Sequence, residues 1–242
     1  ILPFTPELSR TTARDFATTV LQQALHVTEL HEGENFRFGY QAEAGVNSLE
    51  ALGRELGFTV RVYAPRSLRH QAISSSTIRQ LIAKGDVSHA RALLGRPFAI
   101  AGTPASGRGY GTRYTVPTIN LAPYDELLPA NGVYLTTLTV GEGPTAETFE
   151  AVTNVGNRPT FEAGFTLNPI TVESHILNFH PLEGAQALTE QTPVTLTFLR
   201  RLRPEIRWPN PEALRDQITR DAHRARRYFT LCQTMNREHA RT

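Results

Sequence analysis

The sequence predicts an α/β chain in two parts. Residues 1–95 read as an incomplete α/β parallel-sheet domain. Residues 96–242 read as a small antiparallel β-barrel domain closed by a C-terminal helix. Three observations predict this. Helix and strand signals alternate as far as Leu94, the grammar of a parallel sheet that binds ligands at the carboxyl ends of its strands. After Gly95-Arg96-Pro97 the pattern changes to short strands separated by Gly, Pro, Asn and Glu. Beyond Asn210 one helical periodicity runs towards the end of the chain.

In the first part, Thr11 or Thr12 caps a helix to about Leu25, with Phe16, Val20 and Leu21 on its apolar side. His26 to Leu30 reads as a strand, and Gly33 to Gly39 as a loop. Ser48 is the expected cap of a helix over Leu49–Leu56, Gly57 its stop, and Phe58 to Tyr63 the next strand. Ile73 to Arg79 enters a helix to Ala83. Gly85 breaks it, and Asp86 caps another to Leu94. In the second part the strands are Phe98–Gly102, Gly132–Val140, Phe149–Val155, Ile170–Leu177 and Val194–Leu202. Asn210 caps the last helix and Pro211 takes its first position. Leu214, Ile218, Ala222, Ala225 and Phe229 form its apolar stripe, and fraying is expected after about Gln233.

Composition narrows the chemistry. The single cysteine, Cys232, excludes an internal disulfide and a cysteine-based zinc site, which fits a reducing, cytoplasmic setting. No apolar run approaches the roughly 18–20 residues of a membrane span, and no signal peptide is evident. The net charge is only +2, yet arginine crowds the last fifth of the chain. A solvated helix face with ion pairs explains that better than nucleic-acid binding, which would need aromatics interleaved with arginine on the strands. Lys84 is the sole lysine and Gly85 follows it, so neither a Walker-type loop nor a lysine-dependent protein-kinase site is present. A nucleotide enzyme built from this chain must hold phosphate with arginine, backbone and metal. Ile1-Leu2-Pro3-Phe4 reads like the end of a buried strand, and the sole methionine is Met235; a fragment is expected.

The stretch Gly102–Leu121 organises the rest. Gly107, Gly109 and Gly111 alternate with other residues, and Arg108 and Arg113 lie among them. Such a loop can turn backbone N–H groups towards an anion, and the arginines add forked donors. Thr118 and Asn120 share a side if the segment is extended, an oxygen pair suited to Mg²⁺ and phosphate. A surface hairpin with incidental arginines is the competing reading. Ser74, Ser75 and Ser76 sit where a helix begins, with Arg79 one turn on: an anion site, or plain capping by one serine. Glu173 and His175 share one strand face, and Glu173 is the candidate general base. Asn154 to Phe161 reads as a loop in which Arg158 can meet phosphate and Phe161 can stack on a flat ring, or as a satisfied turn.

These segments resemble, in order and across nearly the whole chain, the prokaryotic bifunctional riboflavin kinase/FMN adenylyltransferase family, also called FAD synthetase. Gly33–Gly39 is similar to its glycine-acid-Phe-Arg-Phe-Gly segment, and Ile73–Arg79 to its nucleotidyltransferase signature. Gly107–Asn120 resembles the kinase glycine-rich loop and Pro-Thr-Ala-Asn motif. Asn154–Phe161, Glu173–Phe179 and Phe198–Arg203 fall in the expected order.

The resemblance implies a nucleotidyltransferase-like first domain, a riboflavin-kinase barrel, and FMN and FAD biosynthesis. ATP, riboflavin and FMN would be substrates and Mg²⁺ the cofactor. Thr118 would ligate Mg²⁺, Asn120 would assist at the nucleotide phosphates, and Glu173 would be the base. Ser74, Ser75, Ser76 and Arg79 would hold phosphates in adenylation, while Phe36, Phe38 and Gly39 would line the FMN or adenine pocket. The implied partners are small molecules, with no nucleic acid and no membrane; the chain would be a monomer or weak homo-oligomer.

Departures are visible. The usual Arg-x-Leu-Gly-Phe run is Thr112-Arg113-Tyr114-Thr115-Val116, and the signature Thr and Arg are Ser76 and Thr77. No counterpart of the family's His-x-x-His-type motif occurs in the chain, so the expectation is that this chain does not adenylate FMN. A non-catalytic flavin- or nucleotide-binding relative is the alternative.

Overall fold

The computed structural model describes residues 1–105, 118–157, 170–177, 189–206 and 208–239. It forms two compact units, Ile1–Ile73 and Ser74–Thr242.

In the first unit Thr5 caps a single turn, α1 (Pro6–Ser9). Thr12 caps α2 (Ala13–Asp15): its hydroxyl accepts from the Asp15 amide and donates to the Asp15 carboxylate. The helix continues as a π-helix over Phe16–Ala24. The strand expected from His26 begins three residues later, as β1 (Glu29–Gly33). A two-residue pair follows, β2 (Arg37–Phe38) with β3 (Ala44–Gly45). Helix α3 (Val46–Leu56) starts directly after Gly45, so Ser48 lies inside it and does not cap it. Gly57 ends α3 in the left-handed region, at φ 87°.

Strand β4 (Thr59–Tyr63) then pairs with β1 in parallel. Leu49, Leu52 and Phe58 pack with Ala17 and Leu21 on one side. The opposite face is polar and exposed: Arg61 donates to Glu29, and His31 stacks on Tyr63 at 5.7 Å. A small hairpin, β5 (Ser67–Leu68) with β6 (Gln71–Ala72), completes this unit.

The second unit opens with α4 (Ser75–Ala83) and α5 (Val87–Leu94). Seven strands follow: β7 (Phe98–Gly102), β8 (Pro104–Ala105), β9 (Thr118–Leu121), β10 (Gly132–Val140), β11 (Glu147–Asn157), β12 (Ile170–Ile176) and β13 (Val194–Pro204). They form one antiparallel sheet in the order β7-β13-β10-β11-β12-β9-β8. Its outermost strands, β7 and β8, are consecutive in the chain and do not pair among the described residues, so the small antiparallel barrel expected from the sequence is seen as a curled half-barrel sheet.

Alternate residues point inward, as a period of two requires. Tyr134, Phe198, Ile100, Leu138, Leu196 and Ile176 fill the interior, with Tyr134 edge-on to Phe198 at 5.4 Å. Three hydroxyls cross this core in a ladder: Thr136 to Thr153 at 2.7 Å and Thr153 to Ser174 at 2.8 Å. Each is fully buried and each is satisfied by the next.

Periodicity groups α4 and α5 with the first part, but here they pack with the sheet. Val87 lies in the half-barrel core. Arg201 of β13 donates to the carbonyls of Lys84 (3.3 Å) and Asn131 (2.5 Å), passing between Gly85 and Gly132. A side chain at Gly132 would begin 2.7 Å from the Arg203 carbonyl and 2.8 Å from Arg201 Nε, so only glycine fits there.

The last helix, α6 (Pro211–His239), is capped by Asn210 and extends beyond the fraying point expected at Gln233. Ala222, Ala225 and Phe229 cover Val133, Leu135 and Val152 on the outer face of the sheet. Leu214 and Ile218, expected in the same stripe, are 41% and 44% exposed. At that end the contact is polar: Arg203 Nε donates to buried Asp221 at 2.8 Å, and Gln217 donates to the other carboxylate oxygen at 2.9 Å.

Candidate active site

The register of three strands gathers the candidate groups. On β12, Val172, Ser174 and Ile176 point inward, which sends Glu173 and His175 outward. On β9, Ile119 points inward and Thr118 and Asn120 outward. Glu173 lies directly opposite Asn120, and His175 directly opposite Thr118. On the other side of β12, Asn154 of β11 faces Glu173 and Val152 faces His175. The outer face therefore carries a row Asn120–Glu173–Asn154, with Thr118–His175–Val152 beside it. Opposed antiparallel residues have Cβ atoms about 4.5–5.5 Å apart, so the side chains in each row are in mutual reach.

All the polar members of these rows are half-buried. Asn120 Oδ1 is buried and has no hydrogen-bond donor among the described residues. An orphaned buried acceptor is costly, and a ligand that supplies a donor or a cation removes the cost. His175 is held below its ordinary titration range, first by burial and then by the nearby Arg226 guanidinium, so it is neutral at pH 7. Among the described residues no group of three or more His, Cys, Asp or Glu is placed to hold a metal. Hard oxygens from Thr118 and Asn120 are instead what the site offers to a cation such as Mg²⁺.

The other candidates fall elsewhere. Ser74 is the N-cap of α4: its hydroxyl accepts from the Thr77 amide at 3.2 Å and meets the Thr77 hydroxyl at 2.9 Å. Ser75 and Ser76 occupy the exposed first turn, and Arg79 reaches Ser76 at 3.5 Å. Phe38 is 8% exposed within the first core, stacked on half-buried Phe36 at 5.5 Å, and Gly39 approaches the Ala13 backbone at φ 79°. Gly107, Arg108, Gly109, Gly111, Arg158 and Phe161 lie outside the described residues. Asn154 lies inside β11, as the expected strand Phe149–Val155 has it, and the strand runs on to Asn157 where a loop from Asn154 was the overlapping reading.

Family comparison agrees with this architecture. A riboflavin kinase model matches residues 94–229, which hold the half-barrel and most of α6. The chain belongs to the riboflavin kinase/FMN adenylyltransferase family. An FAD synthetase model matches residues 1–77. A bifunctional riboflavin kinase/FMN adenylyltransferase of Haemophilus influenzae is 31% identical over 92% of this chain and 70% of its own length. The Escherichia coli K12 relative of the same name is 32% identical over 91% of this chain and 66% of its own length. A solved structure described as a macrolide-efflux protein from Streptococcus pneumoniae aligns with a TM-score of 0.75 at 25% identity, over 93% of this chain and 68% of that one. Among the described residues no helix is long and apolar enough to cross a membrane.

Proposed function

We propose that this chain is a riboflavin kinase, transferring the γ-phosphoryl group of ATP to the 5′-hydroxyl of riboflavin to give FMN. The observation that carries this is the pairing of Glu173 with Asn120 on neighbouring strands, beside Thr118, inside the segment matched by the riboflavin kinase model. Glu173 accepts the proton of the 5′-hydroxyl as that oxygen bonds to the γ-phosphorus; the bond from phosphorus to the bridging oxygen breaks and ADP leaves. Thr118 would ligate Mg²⁺ through its hydroxyl oxygen and Asn120 would assist at the nucleotide phosphates, its amide N–H donating to phosphate while the orphaned Oδ1 would accept a donor or a cation there. The ion, when bound, would supply neutralisation of phosphate charge. Gly107, Arg108, Gly109 and Gly111 contribute the nucleotide loop, and Arg158 and Phe161 the flavin side.

Residues 1–95 correspond in this reading to the FMN adenylyltransferase part of the family, and residues 96–242 to the kinase domain. Support for the first half comes from the FAD synthetase match over residues 1–77. Phe36, Phe38 and Gly39 are assigned to the FMN or adenine pocket of that domain, and Ser74, Ser75, Ser76 and Arg79 to its phosphates. The enzyme is taken to be cytoplasmic, a monomer or weak homo-oligomer, with small-molecule substrates and neither nucleic-acid nor membrane partners.

The test is Glu173→Ala. FMN formation should be lost while riboflavin fluorescence is still quenched on binding. Near-normal turnover would remove Glu173 from the mechanism.

A further inference from the structure

We infer that Asn154 is a positioning residue for Glu173, the group that fixes the carboxylate for proton transfer; this rests on the reading of Glu173 as the base. In the sheet register Glu173 has two direct outward neighbours, Asn120 on β9 and Asn154 on β11. Asn120 is committed to the nucleotide side, and its buried Oδ1 is an acceptor that a carboxylate cannot satisfy. Asn154 is the neighbour left to donate to Glu173.

The surroundings hold the strand that carries Asn154 in place. Gly156, two residues along on the same face, has no side chain. A Cβ there would lie 3.2 Å from Asn154 Nδ2 and would run into the Glu205 carboxylate, so the bare position admits both groups. Glu205 is in turn held by the Asn131 side-chain amide at 3.0 Å. The Asn131 carbonyl accepts from Arg201, which also grips the Lys84 carbonyl at the α4–α5 turn. On its inner side β11 is pinned by Thr153, which bridges Thr136 and Ser174. The amide beside Glu173 is thus carried by a strand bonded on both edges and flanked by an anchored carboxylate. A base must meet its proton within a few tenths of an ångström, and a fixed neighbour amide supplies that constraint.

The test uses the full chain and three variants. Asn154→Leu keeps the volume, removes the donor and suits the adjacent apolar Val133 and Val152. Its kcat for FMN formation should fall roughly tenfold to a hundredfold, with KM for riboflavin and for ATP within about twofold of wild type. Asn154→Gln keeps an amide and should recover part of that loss. Turnover within twofold of wild type in Asn154→Leu, a loss confined to KM, or no recovery in Asn154→Gln would overturn the inference. Glu173→Gln measured alongside separates the two readings. If it retains wild-type turnover, the base assignment itself fails. If it collapses while Asn154→Leu does not, only the role of Asn154 fails.

Discussion

Replacing Asp221 with alanine should loosen the terminal helix more than any surface change of the same size. Its side chain is 3% exposed and that of its partner Arg203 is 13% exposed. Both carboxylate oxygens are used, one by Arg203 at 2.8 Å and one by Gln217 at 2.9 Å. Removing one partner of a buried pair leaves the other charge uncompensated, at a cost of about 3–5 kcal/mol. Arg203 retains the Trp208 ring at 5.6 Å and its bond to the Pro204 carbonyl, which places the expected loss at the low end, about 3 kcal/mol.

In a protein of this size each kcal/mol moves Tm by roughly 2–4 °C, so thermal denaturation should fall by about 6–12 °C. The urea midpoint should drop with an unchanged slope. The double variant Arg203→Met/Asp221→Leu should recover most of the loss, because neither desolvated charge then remains. A loss below about 1 kcal/mol in Asp221→Ala, or a double variant as unstable as the single, would refute the reasoning that this pair fastens α6 to β13.

Three further outcomes are expected. Thr118→Ala should raise sharply the Mg²⁺ concentration needed for half-maximal FMN formation; an unchanged metal titration would count against Thr118 as a ligand. Thr153→Val should cost about 1–3 kcal/mol in urea denaturation, since it strands the Thr136 and Ser174 hydroxyls in an apolar core; a neutral result would mean that each finds another partner. Because burial and Arg226 disfavour the His175 imidazolium in the folded protein, the unfolded chain binds the extra proton more readily. The contribution of His175 to stability is therefore complete above its ordinary value of 6.5 and declines as pH falls through and below it. Urea midpoints at pH 7.5 and 5.5 should differ less in His175→Gln than in wild type, and equal differences would dismiss the effect.

Much of this architecture is legible in the sequence because its signals are local. Period-two alternation in Ile170–Leu177 separates Glu173 and His175 from the inward residues without knowledge of the fold. The cap at Asn210 and the stop at Gly57 are likewise local chemistry. Long-range register is not local. That Asn120 and Asn154 flank Glu173 depends on which strands pair and in what phase, which no local signal gives. The α4–α5 segment shows the same limit: amphipathicity announces a buried face but does not name the surface that buries it, and the half-barrel takes it. Phe36 and Phe38 sit in a motif segment, and the ring contacts that fix them, Phe38 with Phe16 and with Phe36, are tertiary and not legible from spacing. Leu214 and Ile218 keep helical spacing but lie where α6 meets the sheet through Arg203 and Asp221.

The measurement that tests the central claim most directly is product chromatography. The chain is incubated with riboflavin, ATP and Mg²⁺, and riboflavin, FMN and FAD are separated. A riboflavin kinase should give FMN that accumulates with time and depends on Glu173. Absence of FMN while riboflavin binding is intact would contradict the kinase assignment.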